Sequence, residues 1–458
     1  MQAVTRKLAQ FVAETRYEDL PSDVVRQVKM CVLDYIGCAL GGSAEKDIEI
    51  LANFVKKIGG AKEATVIGYS IKTPALSAGL VNGAMGHALQ MDDGDRFTLA
   101  HLGTEIIPAA LALGERERCD GKEVITAIAL GYEAAMRIGY AVNPSHHNRG
   151  FCPNSTLGVF GATVAASKIL KLSWGRTAEA LGSAGTQASG LEEFVIDGSA
   201  SQFLNPGHAT LSGILSALLA KEKFSGARTI LEGPRGFCKA FSDKYDISII
   251  IDKLGEEYQI MKVYFKPYPT CRCMHSSIDA IVKLVKEYAI QARDIEEVQV
   301  KTYSYNIDLM CGPQPRTIAH ARLHMPYCLA CSLVEGRLTV KELANEKLRD
   351  ARILALMKKI KFTIADDELN QFAPHLWGTI ITMVTRDGNR YEERVSLPKG
   401  EPENPMSEKE LKEKFEALAS LVGIKKEKIN EIVAVISRLE KIDDIAELVN
   451  LLYAERLG

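Results

Sequence analysis

The stretch NGAMGHALQMDDGDRFTLAHLGTEIIP, residues 82–108, joins a helix-like run of small residues carrying His87 to a polar loop and then to another apolar run. Within ten residues the loop holds three acids, a guanidinium and an imidazole: Asp92, Asp93, Asp95, Arg96 and His101. Charges placed between buried segments are costly unless they are paired or functional. The pattern therefore predicts an active-site loop, and a polar helix–helix connection is the alternative.

The composition is that of a globular protein with more than one domain. The chain has 458 residues, of which 47% are hydrophobic and 25% charged, with a formal net charge of −2. This balance indicates neither a nucleic-acid-binding nor a membrane surface, and no apolar run reaches the roughly 18 residues of a spanning helix. The N-terminus does not read as a secretory signal, and the ten cysteines show no framework spacing. We therefore expect reduced thiols and a cytoplasmic protein.

The periodicity predicts a mainly α fold: a large all-α helical domain and a smaller α+β lid domain with an antiparallel sheet. Residues 1–262 carry successive helical patterns rich in Ala and Gly, which favour close helix packing. From residue 263 to 398 strand-like alternation appears, including a hairpin around Asp387-Gly388. Residues 399–458 are predicted to return as helices to the first domain, and Ser407 with Glu410 forms a capping box.

Four further polar or glycine-rich segments interrupt apolar helices, at residues 143–155, 197–208, 266–275 and 324–327. With the opening loop they offer cations and imidazoles that suit a small di- or tricarboxylate. The cations are Arg96, Arg149, Lys266 and Arg272, and the imidazoles are His101, His147, His208, His275 and His324. A single such residue is more often an ordinary loop residue, and the sequence alone does not show that these loops converge.

Metal and nucleotide sites are disfavoured by the motifs. Cys271, Cys273 and His275 are spaced too tightly for the usual structural zinc pattern. Cys328 and Cys331 lie in an apolar helix and are predicted to be buried thiols. The Asp92-Asp93 pair is a possible Mg²⁺ site, but no phosphate-binding glycine loop accompanies it. We therefore expect no nucleotide cofactor.

Motifs along nearly the whole chain resemble those of the MmgE/PrpD family, which includes 2-methylcitrate dehydratase, cis-aconitate decarboxylase and iminodisuccinate epimerase. They are DYIGCALGG, NGAMGHALQMDDGDR, HLGTEIIPAALALGE, GYEAAMRIG, RGFCPNSTLGVFGA, AGTQASGL, GFCKAF, KPYPTCRCMHSSIDA, MPYCLA and PKGEPENPMSEKELKEKF. The resemblance implies a helical domain built from both chain ends, a lid, a site in the cleft between them and a homodimer, with neither a cofactor nor a metal. It also implies proton abstraction next to a carboxylate, followed by loss of water or carbon dioxide or by re-protonation.

Carried over by resemblance, His101 matches the family's active-site histidine and Asp92 and Asp93 its aspartate pair. Lys266 and His275 match the second-domain motif, and Tyr327 matches a tyrosine near the cleft. We therefore predict five catalytic residues: His101, Asp92, Asp93, His275 and Tyr327.

Departures from the family pattern remove charge. Gln90 and Gly94 replace an aspartate and a threonine, and Cys152 replaces a histidine. Gln202 and Asn205 replace a lysine and another histidine. A pocket with fewer cations is expected to take a smaller or less charged acid. The predicted substrate-binding residues are Arg96, Arg149, Cys152, Gln202, Asn205, His208, Lys266 and Arg272.

The predicted function is that of a lyase dehydrating a small di- or tricarboxylic acid, with the small-molecule carboxylate as its partner. His101 or an Asp92/Asp93 carboxylate would remove the proton, and His275 or Tyr327 would donate one. The alternatives are an epimerase or isomerase of a small dicarboxylate, a cis-aconitate-type decarboxylase, and an inactive carboxylate-binding homodimer.

Overall fold

A computed structural model describes residues 3–369 and 377–453. The first part of the chain is a succession of helices with one short hairpin. Its elements are α1 (Val4–Glu14), α2 (Ser22–Gly42), α3 (Lys46–Ile58), β1 (Ala64–Val66), β2 (Ile71–Thr73), α4 (Ala75–His87), α5 (Gly103–Glu117), α6 (Gly121–Val142), α7 (Pro153–Thr156), α8 (Gly158–Ile169), α9 (Trp174–Gln187), α10 (Phe194–Asp197), α11 (Ser201–Lys221) and α12 (Phe237–Phe241).

The second part mixes helices with a four-stranded sheet, and the chain then ends in helices. The mixed part contains α13 (His275–Glu287), β3 (Ile295–Thr302), α14 (Ser304–Met310), α15 (Ile318–Ala321), α16 (Met325–Glu335), α17 (Ala351–Met357), β4 (Ile360–Ile364), α18 (Asp366–Leu369), β5 (Thr379–Thr385) and β6 (Arg390–Val395). The last helices are α19 (Glu408–Leu421), α20 (Lys426–Ser437) and α21 (Ala446–Leu451). The mainly α fold with a small sheet region is confirmed.

Two large apolar cores underlie this arrangement. The first takes its buried side chains from residues 4–265 and again from 406–452, so the C-terminal helices pack on the first helices. Small residues make this packing close: a Cβ at Gly37 in α2 would lie 3.0 Å from the Phe415 ring of α19. The second core draws mainly on residues 273–383, together with Cys152 and Phe194. The domain boundaries at residues 262 and 398 remain predictions.

The sheet has the strand order β4-β3-β5-β6. The antiparallel pairing expected from the sequence holds for β3 with β5 and for β5 with β6, where the hairpin turns at Asp387-Gly388. Strand β4 instead runs parallel to β3. The chain between them contains four helices, which is long enough for the crossover that parallel neighbours need.

One polar segment is helical rather than a loop. The sequence suggested that residues 197–208 interrupt the helices, whereas α11 begins at Ser201 and continues through Pro206. Phe203 and Gln202 are buried there, and this tertiary burial outweighs the local helix-breaking signal. No helix in residues 3–369 or 377–453 is long and apolar enough to cross a membrane.

Candidate active site

The loop between α4 and α5 folds back against the segment that precedes α13. Helix α4 ends at His87, and Gln90 takes a left-handed φ of 55° that redirects the chain. Gly94 then pairs with Tyr264 through two main-chain hydrogen bonds of 3.1 and 2.8 Å. A Cβ at position 94 would lie 2.5 Å from the Tyr264 hydroxyl oxygen. The glycine is therefore required by the close approach of the tyrosine ring.

Asp95 closes the turn that follows. Its Oδ1 accepts hydrogen bonds from the main-chain N–H groups of Phe97 (3.1 Å) and Thr98 (2.7 Å). The Tyr140 hydroxyl donates to its Oδ2 at 3.3 Å. Burial raises the pKa of Asp95 to about 6, although these hydrogen bonds lower it. Its role is to shape the loop, as is common for aspartate in turns.

The position of His101 fixes its tautomer. Its Nδ1 lies 2.7 Å from the main-chain carbonyl oxygen of Asp93, which can only accept, so Nδ1 carries the proton. The Asn154 side-chain oxygen accepts from the His101 main-chain N–H at 2.9 Å. Burial and the charge of Lys266 lower the pKa of His101 to about 3. The ring is neutral near pH 7, and its Nε2, which has no hydrogen-bond partner among the described residues, is a free base.

A second imidazole supports Asp92. His87 donates from Nδ1 to Asp92 Oδ2 at 2.8 Å, and Gln90 donates from Nε2 to His87 Nε2 at 2.8 Å. Gln90 also donates to the Gln202 side-chain oxygen at 3.1 Å. Burial raises the pKa of Asp92. The neighbouring His87 and His101 rings, the His87 hydrogen bond and the Lys266 charge lower it by more, so the pKa lies below the usual range. Asp92 is an ionised carboxylate that holds His87, and its Oδ2 also lies 3.4 Å from His101 Nδ1.

Ligand-type atoms of His87, Asp92 and His101 lie within 4.8 Å of one another. Both imidazole Nδ1 atoms donate hydrogen bonds in this cluster, to Asp92 and to the Asp93 carbonyl. A metal ion held through the Nδ1 atoms would have to displace both protons, and one held through the Nε2 atoms would have to displace Gln90 from His87. Either ion would also stand close to the buried ammonium of Lys266, whose charge acts on Asp92 and His101. These donors do not suit a cation.

The Asp93 carboxyl group has different partners from those of Asp92 and Asp95. The Tyr132 hydroxyl donates to its Oδ2, and the Gly103 main-chain N–H donates to its Oδ1 at 3.2 Å. Burial and the nearby negative charge of Asp34 raise the pKa of Asp93 to about 7. Asp93 ties the loop to the start of α5, while its main-chain carbonyl positions His101.

Lys266 is fully buried behind the loop. Its Nζ donates to the main-chain oxygen of Gln90 at 3.2 Å and lies 3.5 Å from the Gln90 side-chain oxygen. Burial lowers its pKa, although the Asp92 charge opposes that effect. Lys266 does not line the cavity, but its positive charge lowers the pKa values of both His101 and Asp92.

Two arginines converge on one buried glutamate. Glu401 Oε1 accepts from Arg272 Nη2 at 2.7 Å and from Nε at 3.0 Å, and Glu401 Oε2 accepts from Arg96 Nη1 at 3.1 Å. Glu403 adds bonds of 2.8 and 2.5 Å to Arg96. The Arg272 guanidinium lies over the Tyr264 ring, 4.5 Å from its centroid. Two carboxylates therefore balance the two cations before any substrate binds.

These residues surround a cavity of about 100 Å³. The predicted site residues that line it are Arg96, His101, Cys152 and Arg272. Asp92, Asp93, Gln202, Lys266 and His275 are buried and do not line it. Other lining residues include His87, Gln90, Asn154, Tyr264, Cys271, Cys273 and Tyr305.

Several predicted residues lie elsewhere. Arg149 is 39% exposed beside Asp243 and faces a neighbouring groove. Asn205 and His208 are on α11, and His208 lies 3.3 Å from the Ser212 hydroxyl. Tyr327 is buried in the second core, and its hydroxyl has no partner in the described part of the chain. Nothing in these positions supports the contact with a cavity-bound acid that was predicted for them.

His275 was predicted as a proton donor, but it is fully buried between Arg272 and Thr270. Its Nδ1 accepts from Arg272 Nη1 at 3.0 Å, so the proton is on Nε2, which lies 3.4 Å from the Thr270 carbonyl oxygen. Burial and the Arg272 charge keep its pKa well below the ordinary value. It holds Arg272 in place.

The structure adds residues that the sequence did not single out for the site. Glu401 and Tyr264 lie far from the opening loop in sequence and join it only through folding. His147 was considered only as one imidazole among several, and Glu192 pairs with it at 3.0 Å on the cavity wall. Glu401 was within a quoted motif, PKGEPENP, but no spacing rule connects it to Arg96 or Arg272.

Comparison with known proteins agrees with this architecture. Residues 6–250 match the MmgE/PrpD N-terminal domain and residues 268–438 match the MmgE/PrpD C-terminal domain. The chain belongs to the MmgE/PrpD family, as the motifs predicted. It is 27% identical to the cis-aconitate decarboxylase-like protein oryM of Aspergillus oryzae, over 99% of this chain and 98% of that protein. It is 24% identical to a cis-aconitate decarboxylase of Homo sapiens, over 99% of this chain and 95% of that protein.

Proposed function

We propose that this protein is a lyase that removes a proton next to a carboxylate of a small di- or tricarboxylic acid and expels water. The observation that carries the proposal is the neutral His101, which donates from Nδ1 to Asp93 and leaves Nε2 free at the cavity. A free imidazole nitrogen on a cavity wall is suited to act as a general base. In this proposal Asp92 orients His101 and stabilises the imidazolium that forms.

The charge around the cavity supports a substrate with few carboxylates. Arg96 and Arg272 line the wall, but Glu401 and Glu403 already neutralise them. Arg96 lines the cavity, and its buried Nε has no hydrogen-bond partner within the described residues. We propose that this donor binds the carboxylate whose negative charge grows as the proton leaves. A small dicarboxylate is preferred to a tricarboxylate.

Decarboxylation is the second candidate, because the relatives named above are cis-aconitate decarboxylases or resemble them. In a decarboxylation the bond to the departing carboxylate breaks, and a proton must be given to carbon. A neutral His101 has its only ring proton on Nδ1, directed at Asp93. His101 is therefore better suited to accept a proton at Nε2 than to donate one there.

The test is proton NMR in D₂O with a panel containing citrate, 2-methylcitrate, cis-aconitate, malate, tartrate and aspartate-derived acids. Loss of the α- or β-proton signal together with vinyl protons from a hydroxy acid supports dehydration. New vinyl signals from cis-aconitate together with released carbon dioxide support decarboxylation instead. Exchange without elimination indicates epimerisation. Binding detected by thermal shift, without exchange or turnover of any acid, would overturn the enzymatic proposal and favour a carboxylate-binding protein.

We further propose a cytoplasmic homodimer that works without a metal or cofactor. Light scattering at several concentrations tests the dimer, and a monomer at all of them would contradict it. Turnover unchanged after dialysis against a chelator supports metal independence, and activity restored only by added metal would overturn it.

A further inference from the structure

Two thiols share the cavity wall with His101. Cys271 and Cys273 lie on either side of Arg272 in the short turn before α13, and both line the cavity. The Cys273 thiol donates to the Cys271 sulfur, with 3.3 Å between the two sulfurs. Arg272 fixes the turn through Glu401 and through the main-chain oxygen of Lys399 at 2.9 Å. The pair is thus held in one geometry by a buried ion pair.

The two sulfurs differ in acidity. The hydrogen bond from Cys273 and the charge of Lys266 lower the pKa of Cys271 to about 7 in spite of burial. The pKa of Cys273 is raised well above its usual value by its hydrogen bond to Cys271 and by burial. Burial likewise raises the pKa of Cys152, the third thiol on the wall. Cys271 is therefore the thiol that can exchange a proton near neutral pH.

Other titratable groups on the described part of the wall are engaged. Both ring nitrogens of His87 are in hydrogen bonds, and His147 is paired with Glu192. Burial raises the pKa values of Tyr264 and Tyr305 well above the ordinary phenol. Asp95 is bound within its own turn. A proton donor for this site is thus best sought at Cys271.

We propose that Cys271 is a second catalytic proton-transfer residue of this site and that Cys273 positions and activates it. This inference rests on the proposed function. In a dehydration, His101 Nε2 takes the proton from carbon, and the electrons of that C–H bond form the carbon–carbon double bond. The hydroxyl leaves with the Cys271 proton as water, which gives an imidazolium and a thiolate that return to their starting forms through solvent.

The same donor serves a decarboxylation. There the electrons of the broken carbon–carbon bond form a new double bond, carbon dioxide leaves, and Cys271 gives its proton to the carbon at the far end of the shifted double bond. The thiolate then takes a proton from water. Either reaction therefore needs the thiol form of Cys271.

The first test needs no substrate. Alkylation of the native protein by iodoacetamide is followed by mass spectrometry as a function of pH, with each cysteine read separately. We expect Cys271 to react with a midpoint near its pKa of about 7. Cys273→Ala is expected to raise that midpoint by about one pH unit or more, and Cys273→Ser, whose hydroxyl can still donate, to restore part of the shift. Cys119→Ser, a buried thiol outside the cavity, is the control for loss of a cysteine.

An unchanged alkylation midpoint of Cys271 in Cys273→Ala would overturn the proposal that Cys273 activates Cys271.

The second test uses the acid that the wild-type protein converts. Cys271→Ser is expected to lower turnover by about 10²–10⁴-fold while binding of that acid persists. In the wild type, kcat should fall at high pH with a midpoint equal to the alkylation midpoint of Cys271. In Cys273→Ala the fall in kcat should shift to higher pH by the same amount as the alkylation midpoint.

Wild-type turnover by Cys271→Ser would overturn the catalytic role. If the wild type converts no acid, the proposed function fails, and with it the catalytic role, while the alkylation result still decides whether the thiol pair exists.

Discussion

His101 Nδ1 lies 2.7 Å from the main-chain carbonyl oxygen of Asp93, and this one contact decides which nitrogen of the ring faces the cavity as a base. The contact is made to the main chain, so it does not depend on whether the Asp93 side chain is ionised. Asp93 thereby has two separable roles: its carbonyl orients the imidazole, and its carboxyl group anchors the loop to Tyr132 and Gly103.

His101→Asn is expected to lower turnover by about 10²–10⁴-fold with little change in melting temperature. The asparagine amide can still donate to the Asp93 carbonyl, but it offers no base in place of Nε2. Proton NMR of the converted acid in D₂O measures the loss. His320→Asn, at a half-buried histidine on α15, is the matched control and should keep its activity. Wild-type proton exchange by His101→Asn would mean that another group is the base.

Lys266→Met is expected to raise the pKa of His101 by about one unit or more. Removing a buried positive charge makes protonation of a neighbouring imidazole easier, and Lys266 follows burial as the main cause of the low pKa of about 3. The change is read from the His101 ring-proton shifts in an NMR pH titration. Lys262→Met, which removes an exposed ammonium over the Tyr140 ring, is the control. A His101 titration unchanged by Lys266→Met would contradict the coupling.

Asp93→Asn is expected to stabilise the protein at pH 8 and to have less effect at pH 4. Burial and the Asp34 charge raise the pKa of Asp93 in the folded protein to about 7, well above that of an exposed aspartate, so the unfolded state releases this proton first as the pH rises. The carboxyl group therefore costs the folded state stability progressively between about pH 4 and 7, by up to about 4 kcal/mol. Asparagine removes that dependence, and its carbonyl can still accept from Gly103.

Urea denaturation of the wild type and Asp93→Asn at pH 5 and pH 8 measures the difference. The gain in unfolding free energy should be larger at pH 8. A gain that is equal at the two pH values, or larger at pH 5, would show that Asp93 does not hold its proton in the folded state.

Glu401→Gln is expected to lower the free energy of unfolding by about 3–5 kcal/mol, because it leaves two guanidinium groups without their buried carboxylate. Glu403→Gln is the matched control. That side chain is 50% exposed, and an exposed ion pair contributes about 1 kcal/mol or less. Urea denaturation compares the two variants. Equal losses would mean that Glu401 does not anchor the arginines.

The sequence predicted most of the local structure. Periodicity predicted the succession of helices in the first part of the chain, and the Asp387-Gly388 turn predicted the β5–β6 hairpin. The capping box at Ser407 and Glu410 is present at the start of α19. These features were accessible because neighbours in the chain make the contacts that define them. The parallel pairing of β4 and the early start of α11 were missed, because both depend on packing against distant segments.

Sequence alone determined the family, the mainly α architecture and the loop that holds Asp92 and His101, since each rests on residues that are close in the chain or in recognisable order. Tertiary structure decided which side chains meet at the cavity. It brought Glu401 to Arg96 and Arg272, placed Cys271 and Cys273 on the same cavity wall as His101, and left Tyr327 buried off that wall. The physical reason is that charge pairing and burial depend on distance in space, which the order of residues does not contain.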